Sequence, residues 1–377
     1  MKTYSLFWML LACVILGCSS SDDTELENPG ETETGADADY TVLVSASGTL
    51  SGVLLNANKD VITLNPGSSP FGSTLNPEQT YIDARHFTFY KETSSCSGEI
   101  TKHNFEDDST EVVTIFTNSD PCDILVKAVA HSMQDVYAAY QVLSASKDER
   151  FFVRLATIGS DDDREDIALD KEPLQLVQSG NHLFILTFNE DDGKNALVVL
   201  DTDSNELIHE INLDVDVEKI AKNSEGNIIV SYPELHLEIN GSTMGVISTI
   251  RYDDGKEPKF GSSKTAHFDI LGNLYYQWTT DSSSEYPTVP AVYDFGSNTA
   301  ILYFYENFLT PEQRQFQFEI GDTSTVAFDA KNNLILIGYS KSGSSGQGGL
   351  LRIKPIPDPE FVDNIDLPGV PYTIFVK

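Results

Sequence analysis

The sequence predicts an all-β fold, a β-propeller of seven four-stranded blades whose N- and C-terminal strands close the ring. Three observations predict it. From Tyr40 onward, short runs rich in Val, Ile, Leu, Tyr, Phe and Thr alternate apolar and polar residues, and Asp/Asn/Gly/Ser clusters separate them. A turn-then-strand signature recurs about every 46 residues. The chain then ends in one more strand-like run, Tyr372-Thr373-Ile374-Phe375-Val376, where the inner strand of an eighth unit would begin. Six or eight blades remain the neighbouring solutions, and a pair of β-sandwiches is the alternative all-β architecture.

The repeat is carried by turn residues. Gly180-Asn181, Gly226-Asn227, Gly272-Asn273 and Asn332-Asn333 each precede an apolar strand, at intervals of 46, 46 and 60 residues. Gly-Asn and Asn-Asn tolerate positive φ, so each marks a hairpin entering a strand. Stepping back along the chain reaches Asp135, then His86 and Leu43, the last two on strand character alone. A strand–polar turn–strand element lies between anchors, as in Leu197–Asp201 followed by Leu207–Ile211. Such a unit cannot bury both faces alone and must stack on its neighbours around an axis. One helical turn is expected, at Thr310-Pro311-Glu312-Gln313-Arg314, with Thr as cap and Pro at the first helical position.

Charge limits the partners. The 377 residues carry 24 Lys+Arg against 58 Asp+Glu, a net charge of -34. Like charge repels nucleic-acid backbones and anionic lipid surfaces, so neither is expected as the main partner. Hydrophobic residues make up 40% of the chain, enough for a sizeable core and too many for a disordered acidic protein.

The N-terminus reads as an address. Met1-Lys2 is followed by an apolar stretch from Leu6 to Leu16, about half the ~20 residues a spanning helix needs. It ends in Ile15-Leu16-Gly17-Cys18, which resembles a bacterial lipobox. That resemblance implies a signal peptide over 1–17, cleavage before Cys18, and lipidation of its thiol with diacylglycerol and palmitate-type chains. Ser21-Asp22-Asp23 just behind it resembles the surface-export signal of Bacteroidota lipoproteins. The implied location is the outer membrane, lipid-anchored and facing outward. Residues 18–39 are acidic, rich in Gly, Ser and Thr and free of basic side chains, and are expected to form an extended tether to a propeller over 40–377.

Of the remaining cysteines, Cys96 and Cys122 form an even pair in a chain expected to be exported, so a disulfide is expected. No catalytic residue is assigned. No HExxH, GxSxG, P-loop or dinucleotide fingerprint occurs, and the Gly-rich stretch Ser342–Gly349 reads as a hairpin loop. Of seven histidines, only His131 and His267 precede an anchor as inner-strand residues would. Asp161-Asp162-Asp163 with Glu165 and Asp166 is the densest acidic cluster. Asp201, Asp203 and Asn205 have the start of a calcium loop. They lack its Gly at position six and its closing Glu, so a hairpin turn is the simpler reading. No cofactor is predicted, and calcium is the ion that Asp201, Asp203 and Asn205 would suit. Tyr275, Tyr276, Trp278 and Tyr286 cluster in the 60-residue interval, where longer loops should project. They are the candidate ligand platform for a sugar or other planar molecule.

The repeat rhythm resembles bacterial seven-bladed propellers of the YncE-like and lactonase-like kind. With the N-terminal signals, the resemblance implies a surface lipoprotein that acts as a non-enzymatic binding or accessory subunit. It would capture a ligand for an outer-membrane barrel or TonB-dependent receptor, or dock on one. The alternatives are a metal-dependent propeller hydrolase or lactonase, and a glycan-binding lipoprotein of a polysaccharide-uptake system. The hydrolase requires inner-strand Asp, Asn, Glu or His converging on one point of the axis.

Overall fold

The computed structural model describes residues 38–377 except 95, 118–121, 146–149, 161–163 and 344–345. Cys18, expected to be lipidated, the segment up to residue 37 expected to form a tether, and the Asp161–Asp163 run lie outside the described residues. Seven antiparallel sheets follow one another along the chain. Blade 2 contains Thr80–Ile82, His86–Ser94, Ser97–Asn104 and Thr110–Phe116. Blade 3 contains Ile124–His131, Asp135–Val142, Phe151–Thr157 and Arg164–Leu169. Blade 4 contains Glu172–Ser179, His182–Asn189, Lys194–Asp201 and Glu206–Asn212. Blade 5 contains Lys219–Lys222, Ile228–Ser231, Leu235–Ile239 and Val246–Arg251. Blade 6 contains Ala266–Phe268, Leu274–Thr279, Thr288–Asp294 and Thr299–Leu302. Blade 7 contains Ile320–Asp329, Leu334–Lys341, Gly348–Ile353 and Phe361–Leu367.

Blade 1 is composite. Tyr40–Ala46, Thr49–Ala57 and Ile62–Leu64 come from the start of the fold, with Ser73–Leu75 pairing as an extra edge. Its inner strand is Val370–Val376, from the other end of the chain. The register sets Tyr40 against Val376, Val42 against Ile374 and Leu43 against Thr373. This pairing joins the two ends of the chain in one blade and closes the ring, leaving only the short inner and outer edges of each blade. Ala38 is buried, and Asp39 Oδ2 accepts the Ala57 N–H at 2.8 Å, so the chain is already held on blade 1 before its first strand.

The anchors in the sequence fall on one structural position. Gly180, Gly226 and Gly272 take φ of 59°, 81° and 86°, and Asn333 takes 55°. Each lies in the hairpin between the first and second strands of its blade. Asp135 and His86 open the second strands of blades 3 and 2, and Leu43 lies on the corresponding strand of blade 1. Seven anchors therefore mark seven blades.

The core lies between blades. Val177, Phe184, Leu186, Leu197 and Val199 of blade 4 pack on Ile220, Ile228, Val230 and Ile239 of blade 5. Phe105 stacks on Phe375 with ring centroids 3.9 Å apart, joining the segment after the third strand of blade 2 to the closing strand. Two buried arginines stitch blades through polar groups. Arg154 of blade 3 holds Asp166 with two hydrogen bonds, at 2.7 and 2.6 Å, and donates to Ile115 O of blade 2 at 3.1 Å. Arg352 of blade 7 holds Asp363 at 2.7 Å twice and reaches Asn58 O at 2.5 Å. The Cys96–Cys122 disulfide forms, with S–S 2.04 Å, and ties a hairpin tip of blade 2 to the segment entering blade 3.

The extra residues of the 60-residue interval fold back on the molecule. Thr310 caps the expected helical turn: its Oγ1 accepts the Gln313 N–H at 3.3 Å, and Gln313 Oε1 accepts the Thr310 N–H at 2.9 Å. Arg314, 8% exposed, pairs with Glu285 at 2.8 Å and Glu306 at 3.2 Å. The long loops here are clamped to each other rather than free to project.

Candidate functional site on the propeller axis

The first strands of blades 2 to 6 surround an axial cavity of about 650 Å³. Each inner strand turns its edge to the axis, so runs of consecutive residues, such as Leu174–Val177 and Lys219–Ser224, line the walls. Ile82, Val129, Leu176, Ile220 and Phe268 supply apolar wall. Two side chains span the cavity between non-adjacent blades. Tyr81 of blade 2 approaches the backbone of Gln178 in blade 4. His267 of blade 6 sets its Nε2 3.1 Å from Thr373 Oγ1 of blade 1. Burial holds the His267 imidazole down at about 4, so it is neutral at pH 7.

The charge of the lining is opposite to that of the chain. Arg85, Lys127, Lys219, Lys222 and Lys264 line the cavity, against the carboxylates Asp83 and Asp269. The whole sequence has 58 acids to 24 bases. The axis thus collects a fifth of the bases and almost none of the acids. Lys127 is paired with Glu172 at 2.7 Å, and Arg85 is paired with Glu106. Lys219 donates to Ser263 O. Burial pulls the Lys219 ammonium down to about 8, with Glu218 opposing the shift. Among the described residues, Lys222 and Lys264 have no carboxylate within ion-pair distance, so their charge is available to a ligand.

At one mouth of the cavity, three potential metal ligands meet. Asp83 and His86 come from the hairpin of blade 2, and His131 is the last residue of the inner strand of blade 3. Asp83 Oδ1 accepts the backbone N–H groups of Arg85 at 2.9 Å and His86 at 2.7 Å, which fixes the carboxylate in the turn. Its Oδ2 lies 3.2 Å from His86 Nδ1 and 3.1 Å from His131 Nε2. Thr88 Oγ1 sits 2.8 Å from His131 Nδ1. Burial alone would raise the Asp83 carboxyl. The hydrogen bonds from His131 and His86 outweigh it and hold the group well below the usual carboxylate range. Burial also lowers His131 against the pull of Asp83, which favours a neutral ring.

His131 and His267 do lie on inner strands. Asp201, Asp203 and Asn205 form the hairpin between the outer two strands of blade 4. Asp201 Oδ1 accepts the N–H groups of Asp203 and Ser204 at 3.0 and 2.9 Å, and Asn205 takes φ 57°. This is the turn reading. The aromatic platform is not formed. Tyr275, Tyr276 and Tyr286 are 5%, 0% and 3% exposed and belong to inter-blade cores. Trp278 is half-buried, with Lys259 Nζ 5.2 Å from its ring centroid. Strand alternation places Tyr276 on one face of the blade and Tyr275 on the other, and both faces are covered by neighbouring blades. Asp83 was not singled out at all. Its signal was the spacing Asp83-x-x-His86 at the hairpin preceding a second strand.

The fold and this axis define the class: a seven-bladed β-propeller with a cation-lined axial cavity. The chain matches no protein-family model, and a search of curated proteins finds no match. Solved structures do resemble it. A quinonprotein alcohol dehydrogenase-like protein from Bacteroides thetaiotaomicron superposes with a TM-score of 0.53 at 11% identity, over 90% of this chain and 78% of that one. A protein of unknown function from Bacteroides caccae gives 0.38 at 12% identity, over 74% and 94%. The dihydro-heme d1 dehydrogenase NirN gives 0.45 at 11% identity, over 93% and 77%. At these identities the first likeness shows the fold alone.

Proposed function

We propose that this chain is a surface lipoprotein of the outer membrane, anchored through Cys18, that captures a small anionic ligand in its axial cavity. The observation that carries the binding role is the inverted charge of that cavity. An outer surface rich in carboxylates repels polyanions, while a recessed cationic cavity with low-dielectric walls focuses potential on an anion small enough to enter. A volume of about 650 Å³ is typical of small-molecule sites. Lys222 and Lys264 would neutralise the ligand, the apolar walls would pack on its carbon skeleton, and His267 and Tyr81 would offer neutral polar contacts. The sequence signals support the anchor and the outward location. Handing the ligand to a barrel or TonB-dependent receptor fits both.

The test is purification of the native lipidated protein from detergent-solubilised outer membranes, followed by mass spectrometry of the small molecules released on denaturation. The expected result is one anionic compound near stoichiometry, absent from a Lys222→Gln/Lys264→Gln variant. Release of a neutral compound, or equal release from the variant, would contradict the reading.

A second reading, the metal-dependent hydrolase, draws on the convergence of Asp83, His86 and His131. It is tested by ester and lactone turnover that requires added metal and disappears in Asp83→Asn.

A further inference from the structure

The geometry points to a transition-metal site formed by Asp83, His86 and His131, taking a zinc- or iron-type divalent ion with at least one coordination position open to the axial cavity. It stands independently of the anion-binding reading. Among the described residues, this is the one place where three His, Cys, Asp or Glu side chains bring a ligand atom each within 4.8 Å of one another.

Two of the three ligand-atom separations have the spacing of a shared ion, and all three atoms lie within 4.8 Å of one another. Bonds of about 2.0–2.1 Å at tetrahedral or octahedral angles put neighbouring ligand atoms roughly 2.8–3.4 Å apart. Asp83 Oδ2 is 3.2 Å from His86 Nδ1 and 3.1 Å from His131 Nε2. The ligand set is two imidazoles and one carboxylate, which suits zinc or iron(II) over the all-oxygen preference of calcium and magnesium. The supporting groups are also in place. Thr88 Oγ1 at 2.8 Å can accept from His131 Nδ1–H, and two backbone N–H groups hold the other carboxylate oxygen. Asp83 and His86 line the cavity, so the remaining coordination positions face it.

Without metal, the same atoms satisfy each other. Asp83 accepts from both rings, and Thr88 donates to His131 Nδ1. Metal entry needs only a tautomer change: each ring keeps one proton, moved to its other nitrogen, and Thr88 turns from donor to acceptor. This gives a signature that a purely structural hydrogen-bond cluster would not show.

The experiment uses the mature lipidated chain in detergent, stripped with chelator and titrated with Co²⁺ and with Zn²⁺. The expected result is one equivalent of Co²⁺ bound, with the d–d absorption of a four- or five-coordinate site, displaced by Zn²⁺. Asp83→Asn and His86→Gln should abolish it, and Thr88→Val should weaken it by about 10–100-fold. His131 is the most buried of the three, so His86→Gln, at the more open side, decides the matter should His131→Gln misfold. Binding unchanged in Asp83→Asn and His86→Gln, or no saturable Co²⁺ binding by a chain whose thermal transition shows it folded, would overturn the site.

Discussion

Arg352 and Asp363 face each other across the third and fourth strands of blade 7 in a double hydrogen bond, at 2.7 Å for both contacts. The same guanidinium reaches Asn58 O of blade 1 at 2.5 Å. Arg352 is fully buried, and its neighbour Tyr40 donates to Asp329. The pair therefore sits where the ring closes and couples its first and last blades. Removing one partner of a buried ion pair leaves the other charge uncompensated, at about 3–5 kcal/mol. Asp363→Asn should lower the unfolding free energy measured in urea by that order. A loss under 1 kcal/mol would mean that the junction is held by apolar packing alone.

The Cys96–Cys122 bridge closes a loop with a sequence separation of 26. Chain-entropy arguments give about 3 kcal/mol for such a loop. A Cys96→Ser/Cys122→Ser chain should lose about that much stability, and reductant should destabilise the native chain but leave the variant unaffected.

His236 is 2% exposed, and burial holds it at about 4. Its unfolded value is near 6.5. Between these values the unfolded chain binds the extra proton, so stability is full above about pH 6.5 and falls as pH drops toward 4. The total is about 3 kcal/mol for this one group, since each unit is worth 1.36 kcal/mol. His236→Gln should flatten the stability profile in that window, followed by urea midpoints at several pH values. Its Nδ1 lies 2.7 Å from Tyr252 Oη, a contact that Gln can replace.

Lys219 titrates at about 8 in the folded chain because burial disfavours its charge. An anion in the cavity would favour that charge and raise the value. Ligand binding between about pH 8 and 10.5 should therefore take up a proton. Calorimetry in buffers of different ionisation enthalpy measures this uptake. It should vanish in Lys219→Met, and affinity in the native chain should fall as pH rises through that window.

The blade count was legible because turn chemistry repeats with the fold. Gly180, Gly226, Gly272 and Asn333 need positive φ at equivalent hairpins, so composition reports geometry there. The closing strand was legible too, since the strand-like run around Ile374 had no partner within its own unit. The site was legible only in part. His131 and His267 betray inner strands by their place before an anchor, but which side chains meet across the axis depends on contacts between blades. Asp83 and His131 are 48 residues apart, and nothing local links them. The aromatic cluster misled for a related reason. Alternation shows that Tyr275 and Tyr276 take opposite faces, but not that both faces are covered by neighbouring blades.

The central claim is that the axis selects an anion through its unpaired lysines. The most direct measurement is the thermal shift of the mature chain with a panel of small carboxylates and phosphates, against neutral sugars at matched ionic strength. A ligand at 100 times its dissociation constant adds about 2.7 kcal/mol of stability. The account predicts stabilisation by at least one anion and by no neutral sugar, lost in Lys222→Gln/Lys264→Gln. Stabilisation by sugars alone, or an anion effect undiminished in that variant, would contradict it.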